Sequence, residues 1–218
     1  MLCTAYLAVF LLAIGIHAQG RGVTIVPVKD CSALPRYNRA TNIAGPWGIK
    51  VDGCNNATAP RESCAIEGFG ASSDVKRSTQ EKAIDQGSIT IANSPHTGKT
   101  LLRCNGGLNT FEAKVPSGAG DPDWHAIGIN RDPSTGEMEW GLGSREAEPV
   151  EVYRRYRGET PDEGFFLGSM NETDWAVRWS GSGLSSVDRK PFWFLRLLAP
   201  DTSKWTEEYQ TLIRIDGQ

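Results

Sequence analysis

The stretch Asp121-Pro122-Asp123-Trp124-His125 sets three potential metal ligands at alternate positions. On an extended strand, residues 121, 123 and 125 project to the same side. Two carboxylates and an imidazole would then face one cation. A plainer reading fits the neighbouring residues better: an Asp-Pro turn feeding a strand over 125–129, with no metal bound. There His125 shares a face with Ile127 and Ile129, while Trp124 shares the other with Ala126 and Gly128. If the His125 face points inward, His125 becomes a polar group in a pocket. Glu137, Glu139 and Glu151 also fall on strand-like segments. Paired carboxylates hydrolyse glycosides when their separation is right, but Glu137 and Glu139 alternate with Met138 and Trp140 as on a half-exposed strand. Besides His17 near the N-terminus, the histidines are His96 and His125, and neither lies beside an obvious nucleophile. Nucleophile elbows, zinc-protease helices, phosphate loops and dinucleotide fingerprints are missing. The residues therefore specify no catalytic group and no cofactor.

Aromatic residues offer the other chemistry. The chain has 7 tryptophans, enough to serve a core and still line a pocket where flat rings bury area at small entropic cost. Trp140 and Tyr153, on mid-chain strands, join His125 as candidate ligand-binding residues. Tyr153-Arg154-Arg155-Tyr156-Arg157 mixes basic and aromatic side chains as nucleic-acid binders do. It is an isolated run in a chain of net charge −3, which argues against nucleic acid or anionic membrane as partner. A solvated strand face, with Tyr153 or Tyr156 turned inward, is the expected role.

These side chains must be positioned by β-structure. Short apolar/polar runs at 23–28, 47–51, 65–69, 88–92, 100–104, 111–115, 125–129, 138–142, 150–156, 165–167, 175–179, 192–198 and 210–215 are separated by turn signals such as Asp52-Gly53 and Asn105-Gly106-Gly107. Many short, evenly spaced strands with little helical periodicity read as an all-β sandwich or barrel. Two helical alternatives exist. Residues 78–85 have room for two turns. Residues 202–209 read either as a short C-terminal helix capped by Asp201 or Thr202 or as the turn of a hairpin.

Residues 7–16 form an uncharged apolar run, too short to span a bilayer, and small residues follow at Ala18 and Gly20. This is the pattern of a secretory signal, taken as 1–18, with 19–218 as one domain. An uncleaved anchor is the competing reading. In a secreted chain Cys31, Cys54, Cys64 and Cys104 make an even set and form two disulfides. Of the three pairings, Cys54–Cys64 would staple a loop and Cys31–Cys104 would tie the N-terminal segment to the body; this one is preferred. Asn56-Ala57-Thr58 and Asn171-Glu172-Thr173 are glycosylation sequons.

Gly45-Pro46-Trp47 opens an alternating strand, Gly48-Ile49-Lys50-Val51. Far downstream come Thr173-Asp174-Trp175 with Val177 and Trp179, then Phe192-Trp193-Phe194-Leu195-Arg196, then Pro200. In order and type these pieces resemble the lipocalins and, more broadly, the calycin barrels. The resemblance covers about a third of the chain, at its two ends. It implies a closed antiparallel barrel whose floor is plugged by Trp47, with Gly45 at its turn and Arg196 stacked over the indole. Arg196 is displaced by about a residue from the family position, and Arg214 is an alternative partner. The implied function is to hold a small hydrophobic or aromatic molecule in the barrel. A cyclase or isomerase using the same cavity, and a secreted effector or glycan-binding protein acting through its loops, are the other two readings.

Overall fold

The computed structural model describes residues 18–19, 22–56, 64–75, 86–98, 100–116, 121–130, 136–141, 147–181, 191–198 and 207–217. Within them the chain is all-β, with one 3-10 turn at Cys31–Ala33. The strands are β1 (Ala18–Gln19), β2 (Val23–Val28), β3 (Tyr37–Asn38), β4 (Ile43–Asn56), β5 (Ala71–Val75), β6 (Gly87–Ile91), β7 (Leu102–Asn105), β8 (Thr110–Val115), β9 (Asp123–Asn130), β10 (Met138–Trp140), β11 (Ala147–Pro149), β12 (Glu151–Arg157), β13 (Thr160–Pro161), β14 (Phe166–Gly168), β15 (Trp175–Trp179), β16 (Trp193–Leu197) and β17 (Tyr209–Asp216).

Nine of these strands close into an antiparallel barrel. Around the ring the order is β17, β4, β7, β8, β9, β10, β6, β16, β15 and back to β17. Hairpins join β7 through β10 in series and join β15 to β16. The remaining contacts connect strands far apart in sequence, so the ring is not a simple up-and-down meander. Long β4 is the base of the design. Its register with β7 shifts between Ala44 and Trp47, and the irregularity takes up Pro46, which has no N–H to give a ladder.

A second antiparallel patch of β2, β12 and β14 leans on the ring. It connects through β11, which pairs with β9, and through Phe166 of β14, which faces Arg214 of β17. β14 and β15 therefore lie in line along β17, separated by a tight excursion at 169–174.

The barrel interior is filled with side chains, as a small barrel's is. Trp47, Trp140 and Trp175 are all at most 1% exposed, packed with Ile49, Ile89, Ile91, Leu102, Ile129 and Met138. Two of the three indoles find carbonyls: Trp47 Nε1 donates to Pro35 O at 3.0 Å and Trp175 Nε1 to Leu167 O at 2.9 Å. Cys31 and Cys104 lie at disulfide distance, as do Cys54 and Cys64, with 5.6 Å between Cα atoms in each pair. Both pairs match the preferred connectivity, and two such pairs are consistent with an extracellular protein.

Three expectations change. Residues 65–69 form turns, not a strand. The Glu67 carboxylate accepts the Gly53 and Cys54 N–H groups at 3.2 and 2.9 Å, and the Cys54–Cys64 pair holds the segment against β4. The helix at 202–209 does not reach its expected end: Glu207 has φ +68° and Tyr209 already opens β17. Residues 202–206, like the expected helix at 78–85 and residues 1–17 of the expected signal, lie outside the described residues. Finally, β5 was not anticipated; Ala-Ser-Ser-Asp-Val carries little β-propensity and is held by full pairing with β6.

Candidate functional site

Along one edge of β9 the partner changes. β8 pairs with residues from Asp123 to Ala126, ending at Ala126↔Glu112, and β11 takes over at Gly128↔Pro149. The two partners approach from opposite ends and part around Ile127, so the wall forks. A cavity of about 270 Å³ occupies the fork. Phe111, Ile127 and Val150 form its apolar floor, Ala126, Ala147 and Pro149 its rim, and Asn109, Thr110 and Glu148 its polar margin. Local sequence explains the fork. Pro149 cannot donate to a ladder, which favours strand termination there. Gly128 lets β11 come close: a Cβ there would lie 2.6 Å from the Ala147 Cβ. Thr110 Oγ1 is buried and has no hydrogen-bond partner.

Two of the three candidate ligand residues meet just inside this wall. His125 and Trp140 rings lie 5.4 Å apart, tilted by 56°. They sit on the inward face with Ile127, which is paired directly with Trp140. His125 Nε2 and Trp140 Nε1 are both buried without a hydrogen-bond partner. Trp140 is locked from behind by Gly87, where an added Cβ would lie 2.4 Å from the indole nitrogen and 2.0 Å from Asp74 O. The pair lies behind Ile127, and neither ring lines the cavity itself. Asp121 and Asp123 are exposed, and among the described residues no group of three or more His, Cys, Asp or Glu side chains is placed to hold a metal ion.

Tyr153 is not with them. Val152 points into the core cluster and Tyr153 points outward, yet it is 0% exposed because the 169–172 turn folds over it. Its hydroxyl donates to the Glu151 carboxylate and accepts the Asn171 N–H at 2.9 Å. Burial, then the Glu151 hydrogen bond, pushes the phenol above its usual range. Neighbouring Glu172 is pushed up to about 7, by burial first and by the charge of Asp174 second. The basic run is a solvated face only in part: Arg157 is exposed, Arg154 and Tyr156 are half-buried, and Arg155 is buried. Arg155 is 7% exposed and lies 4.0 Å from Asp162, and burial lowers its pKa. Arg154 stacks on Phe165 at 3.6 Å, and Arg157 pairs with Asp162 at 3.1 Å.

Gly45 holds φ +109° beside the Leu102 carbonyl, and Trp47 is buried at the start of the barrel. Arg196 forms a buried two-pronged pair with Glu208, both bonds 2.6 Å, and Arg214 pairs with Asp52 at 2.9 Å. Of the sequon asparagines, Asn56 ends β4, and Asn171 is exposed at φ +61° on the turn over Tyr153. Glu139, expected half-exposed, is 3% exposed and accepts from Asn130 at 3.2 Å. Thr110, Phe111, Pro149 and Val150 were not anticipated as site residues. The one sequence signal for them is Pro149, which splits a β-run into two strands.

The class defined by these features is a closed antiparallel barrel, compatible with a calycin or lipocalin-like fold. No protein-family model matches the chain, and no curated protein matches it in sequence.

Proposed function

We propose that this chain is a secreted, lipocalin-like binding protein that holds a small hydrophobic or aromatic molecule at its barrel wall. The cavity between β8, β9 and β11 is the observation that carries the reading. It is concave, mostly apolar, lined by the Phe111 ring and supplied with few polar groups, the usual character of a small-molecule site. The filled barrel centre moves the site from the hollow expected of the family to the fork in the wall. The two cysteine pairs and the apolar N-terminal run support export, where Asn56 and Asn171 would meet the glycosylation machinery.

The test is a calorimetric titration of naphthalene and indole into the purified chain. One-to-one binding is expected in the wild type. Ala126→Phe, at an exposed rim position, should block it without disturbing the core. Absence of saturable binding, or binding unaffected by Ala126→Phe, would remove this function from the cavity.

A further inference from the structure

We infer that folding itself decides whether Asn171 carries a glycan: the Asn171-Glu172-Thr173 sequon accepts sugar only while the 169–174 segment is open, and closure of that segment onto Tyr153 ends its reactivity. This rests on the export reading above.

The sequon is split by burial. Asn171 is exposed on the turn, whereas Thr173, two residues on, is 0% exposed. Transfer needs both. Asn171 Nδ2 must attack the anomeric carbon of a lipid-linked oligosaccharide diphosphate. The C–N bond forms as the C–O bond to the diphosphate breaks, the lipid diphosphate leaves, and Nδ2 gives up one proton. The transferase selects that asparagine by gripping the hydroxyl two residues later, which is why the motif requires Ser or Thr there. A hydroxyl sealed in the fold offers nothing to grip.

Both ends of the segment are fastened. Asn171 N–H donates to the Tyr153 hydroxyl at 2.9 Å, and Ser169 and Glu172 exchange backbone hydrogen bonds of 3.1 and 2.8 Å. Ser169 Oγ donates to Pro149 O at 2.8 Å. Next to Thr173, Asp174 accepts the Leu198 N–H on its carbonyl and the Gln210 amide on its carboxylate, both at 2.9 Å. Leu198 and Gln210 come later in the chain. At about 5–20 residues per second of synthesis they follow Asn171 by seconds, so the sequon passes through a period in which Asn171 exists and its cover does not. Once closed, the segment is reached only through local opening, which is rare where backbone and side chains are both tied down.

The experiment uses the full chain, made without glycans in a bacterial periplasm, with purified oligosaccharyltransferase and its lipid-linked donor. Occupancy of Asn171 is read by mass spectrometry of peptides. One sample is folded with both cysteine pairs closed; the other is reduced, alkylated and shown by circular dichroism to be unfolded. The open chain should be modified at Asn171, and the folded chain about tenfold more slowly. Tyr153→Phe keeps the ring and removes the hydroxyl that holds Asn171. Folded, it should be modified about fivefold faster than folded wild type, as expected for one lost hydrogen bond; open, it should match wild type. Equal rates on folded and open wild type, no transfer to the open chain, or a folded Tyr153→Phe rate equal to wild type overturns the inference. The wild-type comparison decides it alone should Tyr153→Phe not fold. Export is read separately in secreting cells: a chain kept inside with its apolar N-terminus intact strikes the export reading and leaves this comparison standing.

Discussion

Glu172 sits in the turn over Tyr153 with Asp174 close by, and its carboxyl titrates at about 7. The folded chain therefore holds a proton that the unfolded chain releases near the ordinary glutamate value of about 4.3. The folded pKa is raised, so this contribution is fully present below that unfolded value. It is lost as pH rises through about 7, because between the unfolded and folded pKa the folded state binds more protons than the unfolded one and stability falls with pH until that excess is gone. Glu172→Gln should flatten this slope. Because the side chain is half-exposed and solvent screens it, the expected gain at pH 8 is about 1 kcal/mol. Urea denaturation at pH 5 and pH 8 measures it; an unchanged pH slope in the variant would refute the assignment. Arg196 and Glu208 illustrate the opposite economy. Each side chain is 3% exposed, and a buried pair of this kind is sound only while both partners remain. Arg196 thus spends its guanidinium on Glu208, a partner that the strand pattern around Phe192-Trp193-Phe194 gave no sign of.

At the scale of elements, the two cysteine pairs do unequal work. Cys31 and Cys104 are 73 residues apart, and Cys54 and Cys64 are 10 apart. Loop-closure entropy grows with the logarithm of that separation, giving about 4 kcal/mol for the long loop and about 3 kcal/mol for the short one. The Cys31→Ala/Cys104→Ala variant should therefore lose more stability than Cys54→Ala/Cys64→Ala, as read from the denaturation midpoints. The reverse order would show that native-state contacts outweigh chain entropy. Strand existence was readable from local pattern: β2 and β15 fall where alternation and β-branched or aromatic residues coincide. Alternation put His125 on one face with Ile127 and Ile129 but left open whether that face turned inward; the pairing of Ile127 with Trp140 decides it. The cover over Tyr153 was not legible because it is imposed by the 169–172 turn, where Asn171 is a familiar turn former but Met170, also left-handed, is not. The fork was hidden because it depends on two strands meeting one edge from opposite ends.

Across the whole molecule, the closing contacts are long-range. Lys50 of β4 bonds Asp216 of β17 across 166 residues of sequence at 3.0 Å. Such pairing must overcome loop entropy before any contact repays it, and chains of this kind fold in milliseconds to seconds. Stopped-flow refolding with the disulfides intact, followed by tryptophan emission, should give its main phase in that range; a microsecond phase carrying the full signal would contradict the ring order. Closure of the barrel was legible from the motifs at its two ends, but the order of strands was not. Hydrophobic alternation says that a strand has a buried face; it does not say which distant edge will pair with it.

β4 makes its partner wait. During synthesis it leaves the ribosome long before β17 exists, and in that interval it is an open template for any passing strand. Lys50, within the stretch of β4 that β17 later covers, places a charge on its outer face, a device by which edges resist unwanted partners. The nascent barrel would owe part of its solubility to the same residue that later becomes a surface ion pair.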